Sequence, residues 1–253
     1  MFKEYLILLL LGHIIADFYV QTEKAAEKKD NSIKWVFIHC LQYYGVMLLI
    51  VLPIISFNHA RGATMVAFLH FLFDSLKFIC ISSKEKKDKM SKITERNIFF
   101  ADQFLHFVSL VGVAYWQAKN SIHIDEGKVI ADFLNIVGIP WLVVVSWILA
   151  LLFIHKPANI AIQKLLAIYK PINNSNNMKE TISAGRFIGT VERMIMLIFL
   201  SIKQYSAIGL VLTAKSIARY DKISKEKDFA EYYLLGTLLS TLIVIIVSFV
   251  FII

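Results

Sequence analysis

Long apolar segments limit this chain more than any other feature of it. The stretches 3–20, 35–57, 63–82, 98–117 and 137–155 can each cross a hydrocarbon layer of roughly 30 Å, which takes about 17 to 25 helical residues. A further apolar stretch, rich in β-branched residues, occupies 229–253. Lipid offers the backbone no hydrogen-bond partner, so a spanning segment is a helix or a strand of a closed barrel. These segments are continuous rather than alternating, which selects the helix. With 57% apolar residues and a mean hydropathy of +0.62, the composition excludes an ordinary soluble domain. The expected fold class is all-α, a polytopic transmembrane helix bundle with 6–7 membrane helices.

Ionisable residues inside such segments are costly in hydrocarbon and mark functional sites. Here they recur in a pattern. His13 and Asp17 lie four apart in the first segment, His70 and Asp74 in the third, and Asp102 and His106 in the fourth. Positions i and i+4 share one helix face, so each pair points one way. His39 adds an imidazole in the second segment. Counting depth at ~1.5 Å per residue from the basic ends puts the three aspartates ~6 to 12 Å deep and the four histidines ~8 to 18 Å deep. Segments of opposite direction thus bring their polar residues to one level, with Asp the shallower partner in every pair. Gln21, Gln42, Gln103 and Lys77 lie close enough to support that level. Lys77 is i+3 from Asp74 and is expected to neutralise it.

The net charge of +8 is concentrated in the connections. Connection 21–34 carries Lys24, Lys28, Lys29 and Lys34, and 83–97 carries Lys84, Lys86, Lys87, Lys89, Lys92 and Arg96. The positive-inside rule makes that side cytoplasmic and leaves the N-terminus outside. The first segment has no small-residue cleavage site and is expected to be a retained membrane helix, not a signal peptide. A polar connection holding Lys119, His123, Asp125, Glu126 and Lys128 precedes the fifth segment. Residues 156–170 are expected to form a separate amphipathic helix on the membrane surface. The run Pro171-Ile172-Asn173-Asn174-Ser175-Asn176-Asn177 is the clearest linker. It divides an N-terminal bundle with the His/Asp cluster (1–170) from a C-terminal transmembrane part (171–253).

In that second part the run 187–214 is interrupted by Glu192-Arg193 and by Lys203-Gln204. It is either one crossing with Lys203 buried or a re-entrant helical hairpin. The basic connection 215–228 favours re-entry, which gives six spans; a single crossing gives seven. Glu231 is expected to pair with Arg193 or Arg219, and the small residues Gly236, Thr237 and Ser240 suit close helix packing. His59, His123 and His155 are expected at the surface. Cys40 and Cys80 form no disulfide framework and no zinc-finger spacing.

Four imidazoles and three carboxylates suit one or two divalent ions, with Zn, Mn and Fe all compatible. Facing helices that supply i, i+4 ligands build di-metal sites in bundles. The expected metal ligands are therefore His13, Asp17, His39, His70, Asp74, Asp102 and His106. The plainer reading is a set of internal ion pairs that fix helix packing. No nucleophile elbow, P-loop or GxGxxG is present. Three functions fit. The first is a metal-dependent integral membrane hydrolase acting on a lipid-linked or amphipathic substrate near the cytoplasmic leaflet, with Lys77 and Gln103 as catalytic residues. The second is a divalent-metal or proton transporter using the same cluster. The third is a non-enzymatic sensor or scaffold. The expected partners are the bilayer and its anionic headgroups, and no nucleic acid is expected.

These residues resemble an uncharacterised family of bacterial multi-pass membrane proteins, in a plasma or inner membrane. The resemblance rests on Gly-His-x-x-Ala-Asp-Phe-x-x-Gln at 12–21, His-x-x-x-Asp-x-x-Lys at 70–77 and Asp-Gln-x-x-His at 102–106. It extends to Gly185-Arg186-x-x-Gly189, Glu192-Arg193, Lys215-Ser216-Ile217-x-Arg219 and Glu231-Tyr232 through Ser240. The family implies no assigned activity. A looser similarity to inner-membrane metal-dependent hydrolases implies hydrolysis by analogy alone.

Overall fold

A computed structural model describes residues 1–52, 57–85, 91–120, 132–133, 136–138, 140–170 and 178–252. His123, Asp125, Glu126 and Lys128, the lysines 86, 87 and 89 and the linker 171–177 lie outside these. The described residues are helical and contain no strand. Five helices are long and apolar enough to span a membrane, and a bent pair at the N-terminus makes up to six. A seventh span finds no support among the described residues.

The chain separates into two compact units, Met1–Leu149 and Ala150–Ile253. The division falls inside a helix, upstream of the 170/171 boundary expected from the linker.

In the first unit α1 (Phe2–Ile14) continues into a π-helical turn, Ile15–Val20. Thr22 then caps α2 (Glu23–Asn31), its Oγ1 accepting the Ala25 N–H at 3.2 Å. The expected connection 21–34 is therefore largely helical, and α2 departs from the first helix by 93°. Next come α3 (Ile33–Val51), α4 (Phe57–Glu85) and α5 (Lys92–Lys119), the last capped by Ser91 on the Thr94 N–H. α1 packs on α3, α3 on α4, α4 on α5 and α5 on α1, a closed four-helix ring. α2 packs on α3 and α4.

Small residues permit the close approaches. A Cβ on Gly12 would lie 2.6 Å from Met47 Sδ, and one on Gly62 would lie 2.3 Å from the Gln117 amide. Leu9, Met47, Val66, Leu110 and Val113 fill the middle of the ring. Phe37, Leu41, Phe68, Leu72, Phe104 and Val108 point outward and are exposed, as lipid-facing residues are. His59, expected at the surface, is instead 2% exposed, with Nε2 3.1 Å from Tyr5 Oη. An apolar environment forces a buried imidazole to find a partner, and Tyr5 supplies it.

α6 (Trp141–Leu166) crosses from one unit into the other and runs on through Pro157. The separate surface helix expected at 156–170 does not form: α6 runs on to Leu166 with Pro157 buried inside it, held by the Ile154 carbonyl on Arg193 and by Asn159 on Thr190. His155 is exposed, as expected. In the second unit α7 (Met178–Ser201) and α8 (Tyr205–Ile217) are packed together across a short break. Lys203 sits in that break with φ 60°, exposed rather than buried. Glu192 accepts a hydrogen bond from Lys215, which fixes the two helices as an antiparallel hairpin. A short α9 (Tyr220–Lys225) leads into α10 (Lys227–Val247) and a terminal π turn, Ser248–Ile252.

Arg193 is 2% exposed and is held without a carboxylate. It donates to the Ile154 carbonyl at 2.7 Å, Asn159 Oδ1 at 2.6 Å, Thr190 Oγ1 at 3.2 Å and Ser240 Oγ at 3.2 Å. The expected pairing with Glu231 is thus replaced by neutral acceptors, and Glu231 is exposed. Gly236 lets the Leu166 side chain approach, as expected of a small residue there.

The left-handed backbone at Lys203 costs a side-chain-bearing residue about 1–2 kcal/mol, a strain that glycine avoids. Lys203→Gly is therefore expected to raise the unfolding midpoint in detergent, and Lys203→Val to lower it. Thermal unfolding followed by circular dichroism checks both.

Candidate metal centre

Each helix of the ring brings polar side chains to the end capped by α2. The π turn places Asp17; α3 places His39; α4 places His70 and Asp74; α5 places Asp102 and His106; α1 places His13. All four imidazoles turn Nε2 toward the carboxylates. Asp17 Oδ1 lies 3.3 Å from His39 Nε2 and 3.5 Å from His70 Nε2. Its Oδ2 is 3.9 Å from His13 Nε2. Asp74 Oδ2 is 3.3 Å from His70 Nε2 and 3.6 Å from His39 Nε2, while its Oδ1 faces His106 Nε2 at 3.8 Å. Asp102 Oδ1 is 3.4 Å from the same His106 Nε2. The seven expected ligands form one continuous cluster, and every side chain in it is less than a tenth exposed.

Three overlapping sets place ligand atoms within 4.8 Å of one another: His13/Asp17/His70, His39/His70/Asp74 and Asp74/Asp102/His106. Asp74 belongs to two of them, one oxygen turned to each. Asp74 would thus contribute to whichever of these two sets held an ion.

The donor atoms fit a cation better than they fit one another. Asp17 Oδ1, Asp74 Oδ1, Asp102 Oδ1 and His106 Nε2 are buried without a hydrogen-bond partner. Buried polar atoms are almost always satisfied, so four convergent orphans are unusual. His39 Nε2 and His70 Nε2 stand 3.1 Å apart, and at most one of these nitrogens can offer a proton to the other. A divalent ion held by one of the three sets would accept the lone pairs of that set. The residues present could hold one or two such ions.

A second layer orients the first. Tyr43 stacks on His70, the ring centroids 3.7 Å apart and the planes 9° from parallel. Its Oη is 3.3 Å from His13 Nδ1, which leaves His13 Nε2 for the carboxylate side. His70 and His106 stack at 4.3 Å. Lys77 donates to Asp102 Oδ2 at 3.0 Å. The expectation that it neutralises Asp74 is corrected: its long stem reaches across to α5. Asp74 is instead paired with Lys29, Nζ to Oδ2 at 3.0 Å. Gln103 Nε2 reaches Asp102 Oδ2 at 3.5 Å. Gln42 is exposed and turned away from the cluster. Gln21 closes the π turn through its backbone N–H on the Ala16 carbonyl, at 3.1 Å.

Sequence reasoning missed Lys29 and Tyr43. Tyr43 was within reach, since it is i+4 from His39 and shares its face. Lys29 carries no such signal in a run of Glu27, Lys28, Lys29 and Asp30.

These features define a class: an all-helical membrane-type protein whose N-terminal unit is a bundle with a buried His/Asp centre. Residues 5–130 match the model of a protein family of unknown function, DUF3307, and this part of the chain is similar to that uncharacterised family. The matched span covers every residue of the centre and stops short of the C-terminal motifs. No curated protein and no solved structure matches the chain.

Tyr43 offers a direct check on the second layer. Tyr43→Phe removes one hydrogen bond and should cost about 1 kcal/mol of stability. Tyr43→Ala also removes the stacking on His70 and should cost about 3–5 kcal/mol. Denaturant unfolding in mixed micelles measures both.

Proposed function

We propose that the protein is a metal-dependent integral membrane hydrolase acting on a lipid-linked or amphipathic substrate near the cytoplasmic leaflet. One observation carries the reading: three carboxylate oxygens and an imidazole nitrogen, each from a buried side chain, converge without a hydrogen bond. His13, Asp17, His39, His70, Asp74, Asp102 and His106 would hold one or two ions of Zn, Mn or Fe. A bound divalent ion supplies the Lewis acidity that makes water a nucleophile near neutral pH. Tyr43 holds His13 in one orientation, and the π turn aims Asp17 inward. Lys77 is 19% exposed at its side chain, so it stands between the cluster and the outside. Its ammonium is placed to favour negative charge developing on a substrate.

The far end of the ring supports hydrolysis over transport. His59, Tyr5 and Gln117 are buried there. However, the fully apolar layer of Leu9, Met47, Val66 and Leu110 separates them from the cluster. A cation path needs polar groups through that layer, whereas a site served from one side does not. The cytoplasmic assignment of that side rests on the basic residues of 21–34 and 83–97.

Protein purified into nanodiscs should carry roughly one to two equivalents of a divalent metal, as carboxylate-bridged bundle sites do. Elemental analysis should show Asp74→Ala losing more metal than His13→Ala, because Asp74 is shared by two ligand sets. Folded wild type that holds no metal under loading would overturn the proposal. On a panel of lipid-linked esters, Lys77→Met should retain metal and lose turnover. Gain of metal uptake into vesicles by that variant would instead favour transport.

Orientation has its own check. In a background lacking Cys40 and Cys80, Lys24→Cys should label from the cytoplasmic side and Arg61→Cys from the outside. The reverse pattern would move the site to the outer leaflet.

A further inference from the structure

We infer that the substrate of this centre carries a phosphate group, and that Lys29 and Lys77 together receive its oxygens. The inference rests on the proposed metal-dependent reading and names the substrate class for it.

The two lysines are placed alike. Lys29 Nζ sits on Asp74 Oδ2 and Lys77 Nζ on Asp102 Oδ2, both at 3.0 Å. The other oxygen of each carboxylate faces His106 Nε2, at 3.8 Å from Asp74 and 3.4 Å from Asp102. The ammonium groups therefore flank a single ligand set, Asp74/Asp102/His106, each one carboxylate away from the ion position. An anion bound at that position has a lysine on either side.

Chain order shows which way the set opens. On α4 the order toward the α2 end is His70, Asp74, Lys77. On α5 it is His106 and then Asp102, and α2 with Lys29 packs against that same end of the ring. Imidazoles lie deepest, carboxylates next and ammonium groups outermost. A ligand arriving from the α2 end meets the lysines first.

Charge then decides the ligand. With neutral imidazoles, three carboxylates against two ammonium groups leave one net negative charge. One divalent ion converts this to one net positive charge, and two ions leave three. A buried centre of that sign in an apolar bundle requires an anion. With an ion held at the open Oδ1 atoms, each lysine would keep one N–H on its carboxylate Oδ2 and have its other donors for an anion. A phosphate offers several oxygens, enough for an ion and two ammonium groups at once, and Lys is a common point-charge ligand for it. A neutral ester or amide offers neither the charge nor the several oxygens that an ion and two ammonium groups can take together.

The test uses the full chain in nanodiscs, loaded with Mn2+ and titrated calorimetrically with inorganic phosphate. Wild type should bind phosphate only when loaded. Lys29→Gln and Lys77→Gln should each weaken it roughly ten- to a hundredfold, the loss expected for one charge-assisted hydrogen bond. Manganese content, read separately, should stay within twofold of wild type. Lys29→Arg and Lys77→Arg keep the charge and should recover part of the affinity, which covers the case of a Gln variant that does not fold. A second arm replaces inorganic phosphate with phosphatidic acid in the disc. Tighter binding of the lipid, displaced by inorganic phosphate, identifies a lipid headgroup as the source; equal or weaker binding identifies a soluble phosphate. Loaded protein that ignores phosphate, or phosphate binding that survives both Gln variants unchanged, overturns the inference while leaving the metal reading intact. Protein that takes up no manganese overturns the metal reading itself.

Discussion

Three carboxylates buried in an apolar helix bundle are the constraint on which the N-terminal unit is built. Each is costly to desolvate and stays ionised only beside compensating charge or coordinating cations. Asp74 and Asp102 each have one oxygen on a lysine and the other free among imidazoles. That division of each carboxylate into a satisfied and an open oxygen recurs on two helices. It anchors each lysine to one oxygen and leaves the other oxygen facing the centre. The same constraint accounts for α2. A helix of mean polar character is drawn onto the bundle because Lys29 at its far end completes the charge balance of Asp74.

The π turn belongs to the same logic. Asp17 lies in this wider turn, near His13 four residues before it, with Oδ1 facing His39 and His70. π turns concentrate at functional positions because they re-aim one side chain at little cost to the rest of the helix. Small residues serve the approach of helices rather than ligands. Gly12 makes room for Met47, and that contact brings α1 near enough to α3 for His13 to reach Tyr43.

Much of this was legible in the sequence, and the reason is periodicity. His70/Asp74 and Asp102/His106 declare a shared face by spacing alone, and matched depth from the basic ends places them on one level. What spacing cannot carry is contact across elements. Spacing links Lys77 to Asp74 on α4, yet the lysine stem reaches Asp102 on α5. Lys29 was read as one basic residue among several, since burial of one member of a lysine pair is set by the bend before α2. His59 was placed at the surface by its position near a turn, and Tyr5 buries it. Residues 156–170 read as amphipathic in isolation. The helix instead continues, since its residues pack in the second unit.

The second unit buries a charge too, and the contrast shows what distinguishes a site from a strut. Arg193 lies as deep as any ligand of the His/Asp centre. Its guanidinium, however, spends donors on the Ile154 carbonyl, Asn159, Thr190 and Ser240, all neutral oxygens of α6, α7 and α10. A charge shared among several fixed dipoles ties three helices together and leaves no atom waiting for a ligand. Glu192, its neighbour in sequence, is turned to Lys215 and closes the α7–α8 hairpin. In the His/Asp centre the opposite holds: carboxylate oxygens converge on imidazole nitrogens, and several of these atoms make no hydrogen bond. Like-charged atoms aimed inward are stable only when something positive lies between them. That asymmetry, rather than burial, is the argument for reading the first cluster as chemistry and the second as architecture.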